Sequence, residues 1–370
     1  MKILHVSCGG LGNGGVQAVI MGICRHLPDV QFDIILFTLE KRYYDDQFKS
    51  LGGSIFRIPR YEGRNRFKRI LNNLSMMFRI PIQTYKILKK YGPYDAIHCH
   101  NHFESGLCNV AARMAGVKVR ISHSHNTAPP GKRRFTWRIY EWVLKYLITN
   151  NSNVQIGCSR QALKYLFGNS EKAYVINNAI NLNYFNKELY PYKKHETINF
   201  IHVGRYSSEK NQLFLLDIIN HLKKEIGNIQ LTMIGFGEDE EIVAEKVIRL
   251  GLEKNVKMLP SDTNIPQQLS KTDYFIFPSN FEGLGIVLLE AQAMGVKCIA
   301  SSNVPPEANM GLCDYLDLQQ GPEEWAKYIL KLINNKSNRQ YPLDHVLKNY
   351  DIENISKNYK EIYSGAFFEN

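Results

Sequence analysis

The chain has 370 residues, more than one ordinary core supports and about right for two domains. Its 44% hydrophobic and 22% charged content is that of a globular protein, and no apolar run approaches the roughly 18 residues of a transmembrane helix. The formal net charge of +11 is unevenly spread, +16 over residues 1–190 and −5 over residues 191–370, which points to an anionic partner for the first half.

The start, MKILHVSCGGLGNGG, lacks the roughly 7–15-residue apolar core of a signal peptide. It reads as a strand entering a glycine loop, so the chain is expected to stay in the cytoplasm. Strands are predicted at 2–8, 33–38, 54–58, 95–100, 118–123, 154–159 and 173–177. They are short, rich in Val and Ile, and apolar on both faces. Helical segments separate most of them, the signature of βαβ units and a parallel sheet. A polar, tyrosine-rich connector, NLNYFNKELYPYKKHET, follows near residue 182. The pattern then restarts with strands at 198–204, 229–235, 256–260, 273–278 and 296–301. The expected architecture is α/β, with two tandem Rossmann-like doubly wound domains over residues 1–182 and 183–352 facing each other across a cleft. Ligands would bind there, beyond the carboxyl ends of the strands.

The seven cysteines (Cys8, Cys24, Cys99, Cys108, Cys158, Cys298 and Cys313) are scattered, with no Cys-x-x-Cys spacing. That argues against a disulfide framework or zinc knuckle. They read as small buried hydrophobes in a reducing compartment.

Four glycine-containing turns carry the candidate chemistry. GGLGNGG places Gly10, Gly12 and Gly15 in Gly-x-Gly-x-x-Gly spacing between the first strand and the helix VQAVIMGICRHL. Taken alone this fits a dinucleotide fold. An NAD enzyme would also want an acid closing the second strand, and Glu40 comes a little late. HVGRYSSEKN (202–211) ends a strand at Gly204 and sets Arg205 and Lys210 in the loop before the next helix, with Ser207 or Ser208 as a possible N-cap. Two cations beside a helix start make a receptor for a diphosphate. MIGFGEDEE (233–241) adds a further turn on the same rim, although Gly235 and Gly237 could serve the turn alone.

In NFEGLGIVLLEAQAMG (280–295), Glu282 lies in a loop freed by Gly283 and Gly285. Glu290 lies about one turn inside a helix that is apolar nearly all round and ended by Gly295. A carboxylate accepts two hydroxyl hydrogen bonds, which suits the vicinal diols of ribose and sugars. Alternatively Glu290 pairs with a nearby Lys or Arg and Glu282 is solvated.

The set Gly204-Arg205-x4-Lys210 and Glu282-Gly-Leu-Gly-x4-Glu290-Ala resembles the retaining glycosyltransferases of family 4, with the GT-B fold. The glycine-rich first loop, VINNAIN (175–181), VKVRISHSHNT (117–127) and a tail helix near 352–366 extend the likeness over the whole chain, closest in flavour to bacterial capsule and exopolysaccharide enzymes. Where the family often has Ile-Pro-Asn-Gly-Ile-Asp, this chain has Asn178-Ala179, a change confined to a turn. The resemblance implies that Arg205 and Lys210 neutralise the departing nucleotide diphosphate, Glu282 holds donor-sugar hydroxyls and Glu290 the ribose. It also implies that Gly204, Gly235, Pro260, Gly283, Leu284 and Gly285 line the donor site. Gly14 and Gly15 would approach phosphate or acceptor, and His123, with His125 as rival, would touch the donor sugar. A terminal helix over about 353–370 would cross back onto the first domain. No metal and no cofactor are implied if Arg and Lys stabilise the leaving phosphate, and there is no Asp-x-Asp motif.

The implied reaction moves a hexose or N-acetylhexosamine from a nucleotide-diphosphate sugar, with UDP favoured, to a polyprenyl-linked saccharide. The alternatives are an epimerase of UDP-N-acetylglucosamine on the same fold and a non-catalytic sugar-binding partner of a transferase. Five of the 11 histidines, His98, His100, His102, His123 and His125, cluster in sequence. They fit polar groups of a cleft, satisfied structural histidines, or a zinc site, because alternating residues of a strand point one way. Residues 61–90 carry eight Lys and Arg against one acid, interleaved with apolar residues, and KRRFTWRIYEWVLKYLI (132–148) adds more. That composition reads as a surface for anionic lipid on the inner face of the plasma membrane, or as a solvated helix face. Nucleic acid is disfavoured because no recognition motif accompanies the charge.

Overall fold

The computed structural model describes residues 1–7, 9–59, 66–100, 103–127, 135–170, 172–192, 194–335 and 339–366, with backbone alone at 66–74 and 135–139. Cys8, His102, the side chains of the basic stretches 61–74 and 132–139, and the last residues of the tail, 367–370, lie outside the described residues. The chain divides into two units, one of Met1–Ala179 with Ile352–Asn370 and one of Ile180–Asp351.

The first unit holds strands β1 (Lys2–Ser7), β2 (Gln31–Leu36), β3 (Ile55–Arg57), β4 (Ala96–Cys99), β5 (Val119–Ser124), β6 (Val154–Gly157) and β7 (Ala173–Val175). Helices α1 (Gly15–His26), α2 (Asp45–Ser50), α3 (Arg66–Tyr91), α4 (Ser105–Ala115), α5 (Phe135–Asn151) and α6 (Arg160–Phe167) connect them. Every pairing is parallel and the order is β3-β2-β1-β4-β5-β6-β7, so the winding reverses between β1 and β4. Central strands are buried on both faces, which is why they read as apolar runs rich in Val and Ile, interrupted by His5 in β1 and His98 in β4. Leu4, Val6, Ile35 and Ile97 share one core with Leu107 of α4 and Leu144 of α5.

The second unit repeats the plan with β8 (Ile198–Val203), α7 (Gln212–Ile226), β9 (Ile229–Ile234), α8 (Glu240–Arg249), β10 (Val256–Leu259), α9 (Ile265–Leu269), β11 (Tyr274–Phe277), α10 (Ile286–Ala293), β12 (Lys297–Ser301), β13 (Cys313–Leu316), α11 (Gly321–Asn334) and α12 (Asp344–Lys348). The order β10-β9-β8-β11-β12-β13 reverses between β8 and β11. Trp325 of α11, fully buried, packs with Phe200, Leu215, Leu231 and Met233.

The strand β13 has no counterpart in the sequence reading. Its sequence, CDYL, is half-exposed and carries an acid, as an edge strand can. It pairs in register with β12, and Lys297 reaches Asp314 at 2.8 Å across the pair. The helix α13 (Ile352–Ser364) belongs to the first unit and packs on α1. A Cβ at Gly22 would stand 3.1 Å from Ile352 Cδ1, so the two helices meet closely.

Candidate active site

In the second unit the loops after β8 and β11 meet at the carboxyl ends of the two strands where the winding reverses, the position at which doubly wound sheets bind ligands. Side chains tie them together. Asn211 Nδ2 donates to Pro278 O at 3.1 Å, Asn280 Nδ2 donates to Ser208 O at 2.7 Å, and Asn280 N donates to Glu209 O at 2.8 Å. Lys210 runs across Gly204, where a Cβ would stand 3.5 Å from its Cγ and Cδ. Its ammonium sits 5.2 Å from the Phe277 ring centroid and donates to Glu282 Oε1 at 2.5 Å. Glu282 is buried, at 8% exposure, so it is not the solvated loop acid of one sequence reading. The N-cap of α7 is Asn211, in the left-handed region at φ 57°, rather than Ser207 or Ser208. The loop runs three to four residues further than those caps allow, and its last residue, Asn211, is the one that donates to Pro278 O.

Arg205 does not join the Lys210–Glu282 pair. Its guanidinium is exposed and pairs with Glu238 Oε2 at 2.8 Å. Its backbone is fixed from below. His202 Nδ1 must donate to Ile276 O at 2.9 Å, so its Nε2 is an acceptor and faces Gln212 Nε2 at 3.4 Å. Gln212 Nε2 in turn donates to Arg205 O at 2.8 Å. Burial lowers the His202 pKa to about 4, so this ring is neutral. Neither His202 nor Gln212 was marked in the sequence. A histidine two residues before the Gly-Arg pair was the available signal.

The glycine turns are close-packed. A Cβ on Gly235 would stand 2.0 Å from Gly204 O, and one on Gly237 would stand 2.1 Å from Tyr206 O. Both glycines are therefore required by backbone contact. Pro260 sits exposed just past β10. Gly283 and the fully buried Leu284 lead to Gly285, which is left-handed at φ 88° and starts α10. That helix ends in a Schellman motif, with Gly295 N donating to Gln292 O and Val296 N donating to Ala291 O. Glu290 stands half-buried on α10. Among the described residues no Lys or Arg pairs with it, contrary to the ion-pair reading. Burial raises its carboxyl to about 7.

The first unit gathers its own candidates at the corresponding place. Gly14 is the N-cap of α1 and Gly15 its first residue, both exposed. Gly9, Val16 and Gln17 on one side, and His100, His123 and His125 on the other, line a pocket of about 130 Å³. His123 is fully buried at the end of β5, and His125 lies just beyond it.

The histidines form two chains. His5 Nδ1 lies 2.9 Å from His100 Nε2, and His100 Nδ1 lies 3.0 Å from His125 Nε2. His98 Nδ1 lies 2.8 Å from Tyr363 Oη, and His98 Nε2 lies 3.1 Å from His123 Nδ1. His5 and Tyr363 were absent from the sequence reading. Burial holds all five rings neutral. His5 and His125 fall to about 3, and His98, His100 and His123 are lowered well below the usual 6.5, first by burial and then by their neighbours. Nitrogens of His5, His98 and His100, and of His100, His123 and His125, come within 4.8 Å of one another, so these residues could hold a metal. His100 uses both its nitrogens in ring–ring contacts, and a metal would have to replace those hydrogen bonds.

Residues 13–184 match the model of "Glycosyltransferase Family 4" and residues 190–351 match that of "Glycosyl transferases group 1". The chain is 30% identical to the capsular polysaccharide biosynthesis glycosyltransferase CapH of Staphylococcus aureus, over 98% of both proteins. It is 28% identical to the UDP-Gal:alpha-D-GlcNAc-diphosphoundecaprenol alpha-1,3-galactosyltransferase of Escherichia coli, over 82% of this chain and 79% of that one. The crystal structure of Anabaena HepE in complex with UDP and glucose has the same fold, with a TM-score of 0.76 at 18% identity over 98% of this chain and 99% of that one. The chain thus belongs to the glycosyltransferases of family 4 and is a sugar-transferring enzyme of the GT-B fold.

Proposed function

We propose that this enzyme transfers a hexose or N-acetylhexosamine, with retention of anomeric configuration, from a UDP-sugar to a polyprenyl-linked saccharide in cell-surface polysaccharide synthesis. The observation that carries the reading is the Lys210–Glu282 pair, held at 2.5 Å at the reversal between β8 and β11. A cation that can turn to phosphate and an acid that can turn to hydroxyls stand side by side there. The E. coli relative named for a UDP-galactose donor and a diphosphoundecaprenol-linked acceptor, and the HepE complex with UDP and glucose, support the donor and acceptor classes.

In this mechanism, breaking the bond between the anomeric carbon and phosphate builds negative charge on the leaving UDP and positive charge on the sugar ring. Lys210, Arg205 and the amides that open α10 stabilise the former as fixed dipoles and charges. Glu282 accepts from sugar hydroxyls, Glu290 from the ribose, and His123 from or to the sugar. Gly14 and Gly15 let the chain approach phosphate or acceptor. The reaction runs without a metal ion, because the cations perform the charge neutralisation.

The enzyme docks on anionic lipid through the first unit. Exposed Phe78 and Ile82 of α3 accompany Arg79, Lys86, Lys89 and Lys90, and Trp142 and Tyr146 of α5 are likewise exposed. Among the described residues, no helix is long and apolar enough to cross a membrane. Cosedimentation with phosphatidylglycerol vesicles at low and high salt tests this, and failure to bind at low salt ends the docking idea.

The test of the whole reading is a calorimetric screen of UDP- and GDP-sugars, followed by assay of free UDP with a polyprenyl diphosphate-linked acceptor. A UDP-sugar must bind and UDP must appear alongside a longer acceptor. An altered nucleotide sugar without acceptor would make it an epimerase, and no binding would defeat the reading.

A further inference from the structure

We infer that Tyr363, acting through His98, fixes His123 in the tautomer with its proton on Nε2, so that His123 presents an N–H donor to the substrate. The inference rests on the reading of His123 as the substrate-facing histidine. It makes Tyr363 and His98 positioning residues.

The argument counts protons. Neutral imidazole has one donor nitrogen and one acceptor nitrogen. The chain runs from Tyr363 Oη to His98 Nδ1 at 2.8 Å, and from His98 Nε2 to His123 Nδ1 at 3.1 Å. Two directions are possible. In the first, Tyr363 O–H donates to His98 Nδ1, His98 Nε2–H donates to His123 Nδ1, and His123 carries its proton on Nε2. In the second, His123 Nδ1–H donates to His98 Nε2 and His98 Nδ1–H donates to the tyrosine oxygen. The phenolic proton is then left over, in a side chain with 1% exposure whose hydroxyl meets His98. Stranding a buried donor costs about 1–3 kcal/mol. The first direction leaves its spare proton on His123 Nε2, where bound substrate takes it up, whereas the second leaves it on the buried Tyr363, so the first direction is set in the substrate complex.

His123 Nε2, the ring nitrogen opposite His98, is buried with no hydrogen-bond partner, and His123 lines the 130 Å³ pocket. All members of this chain are neutral, since burial lowers both histidines and raises Tyr363. The neighbouring chain behaves differently. His5 Nε2 and His125 Nδ1 are both buried without a partner, so the His5–His100–His125 chain has nothing at its far end to choose a direction. His125 can offer the substrate either a proton or a lone pair. His123 can offer a proton alone, and that separates the two rivals.

The test uses the full-length enzyme labelled with ring-15N histidine, with peaks assigned through His98→Gln and His123→Gln. Long-range 1H–15N spectra with a UDP-sugar bound are expected to show His98 and His123 in the Nε2–H form. Tyr363→Phe is expected to mix the two tautomers at His123 and to lower kcat about tenfold, the lower end for loss of an orienting partner behind a functional histidine, with donor KM within about twofold. Tyr359→Phe is the control. That tyrosine stacks on Tyr363 from one turn away on α13, and its buried hydroxyl has no partner. It is expected to leave spectrum and kcat unchanged. An Nδ1–H form of His123 in the liganded wild type, or an unchanged spectrum in liganded Tyr363→Phe, overturns the inference. Full activity in His123→Ala overturns instead the reading of His123 as substrate-facing, while the spectra still judge the proton chain.

Discussion

Glu290 offers a sharp quantitative test. Burial carries its carboxyl from the ordinary 4.5 to about 7, and at about 1.36 kcal/mol per pKa unit the charged form is disfavoured by roughly 3 kcal/mol. The folded protein therefore holds this proton more tightly than the unfolded chain. The stability it contributes is full below about pH 4.5 and is lost as pH rises through 7. If ribose hydroxyls donate to the carboxylate, UDP binds the charged form and expels the proton. The charged fraction rises from about one tenth at pH 6 to about nine tenths at pH 8, so UDP affinity should rise about tenfold across that window. Calorimetry in buffers of different ionisation enthalpy reads the proton directly, near one released per UDP at pH 6 and near none at pH 8. UDP has a phosphate that titrates near pH 6 as well, and Glu290→Gln keeps that contribution while removing the protein's. Identical pH slopes in wild type and Glu290→Gln would refute the argument.

Lys210→Ala leaves the buried Glu282 without its ammonium partner and removes a cation from the leaving group. It should cost about 100-fold in kcat/KM, measured as UDP release with the protein still folded by circular dichroism. Gly235→Ala drives a methyl to 2.0 Å from Gly204 O and should cost about 3 kcal/mol in denaturant unfolding, whereas Gly251→Ala, where nothing stands within 4 Å, should cost only about 1 kcal/mol for its positive φ. Arg339 donates to Met294 O, Thr272 O and Leu269 O and lies 4.4 Å from the Tyr192 ring centroid. Arg339→Ala should destabilise the second unit by about 2–3 kcal/mol, and Arg339→Lys should recover little of it, because an ammonium lacks the planar fork.

The parallel strands were readable because burial on both faces demands Val and Ile whatever lies next to them. CDYL escaped notice because an edge strand is freed from that demand, and its Asp314 finds Lys297 only once β12 is alongside. Spacing located Glu282 in a loop and Glu290 inside a helix. The family resemblance assigned Lys210 to phosphate and Glu282 to hydroxyls without revealing that the two bond each other, since they are 72 residues apart. The histidine cluster was legible as a cluster, but not as two proton chains. His5 joins from 95 residues away, and Tyr363 lies 265 residues from His98. Such contacts follow from strand order and from a returning helix, neither of which leaves a local periodicity.

The first unit is discontinuous along the chain, with α13 supplied after the whole second unit. A ribosome working from the amino end delivers the second sheet before the helix that finishes the first. Through that interval α1 and β5 await their cover, and the phenol that would orient His98 is still in the exit tunnel. Assembly of the histidine centre thereby waits on synthesis of the whole second unit.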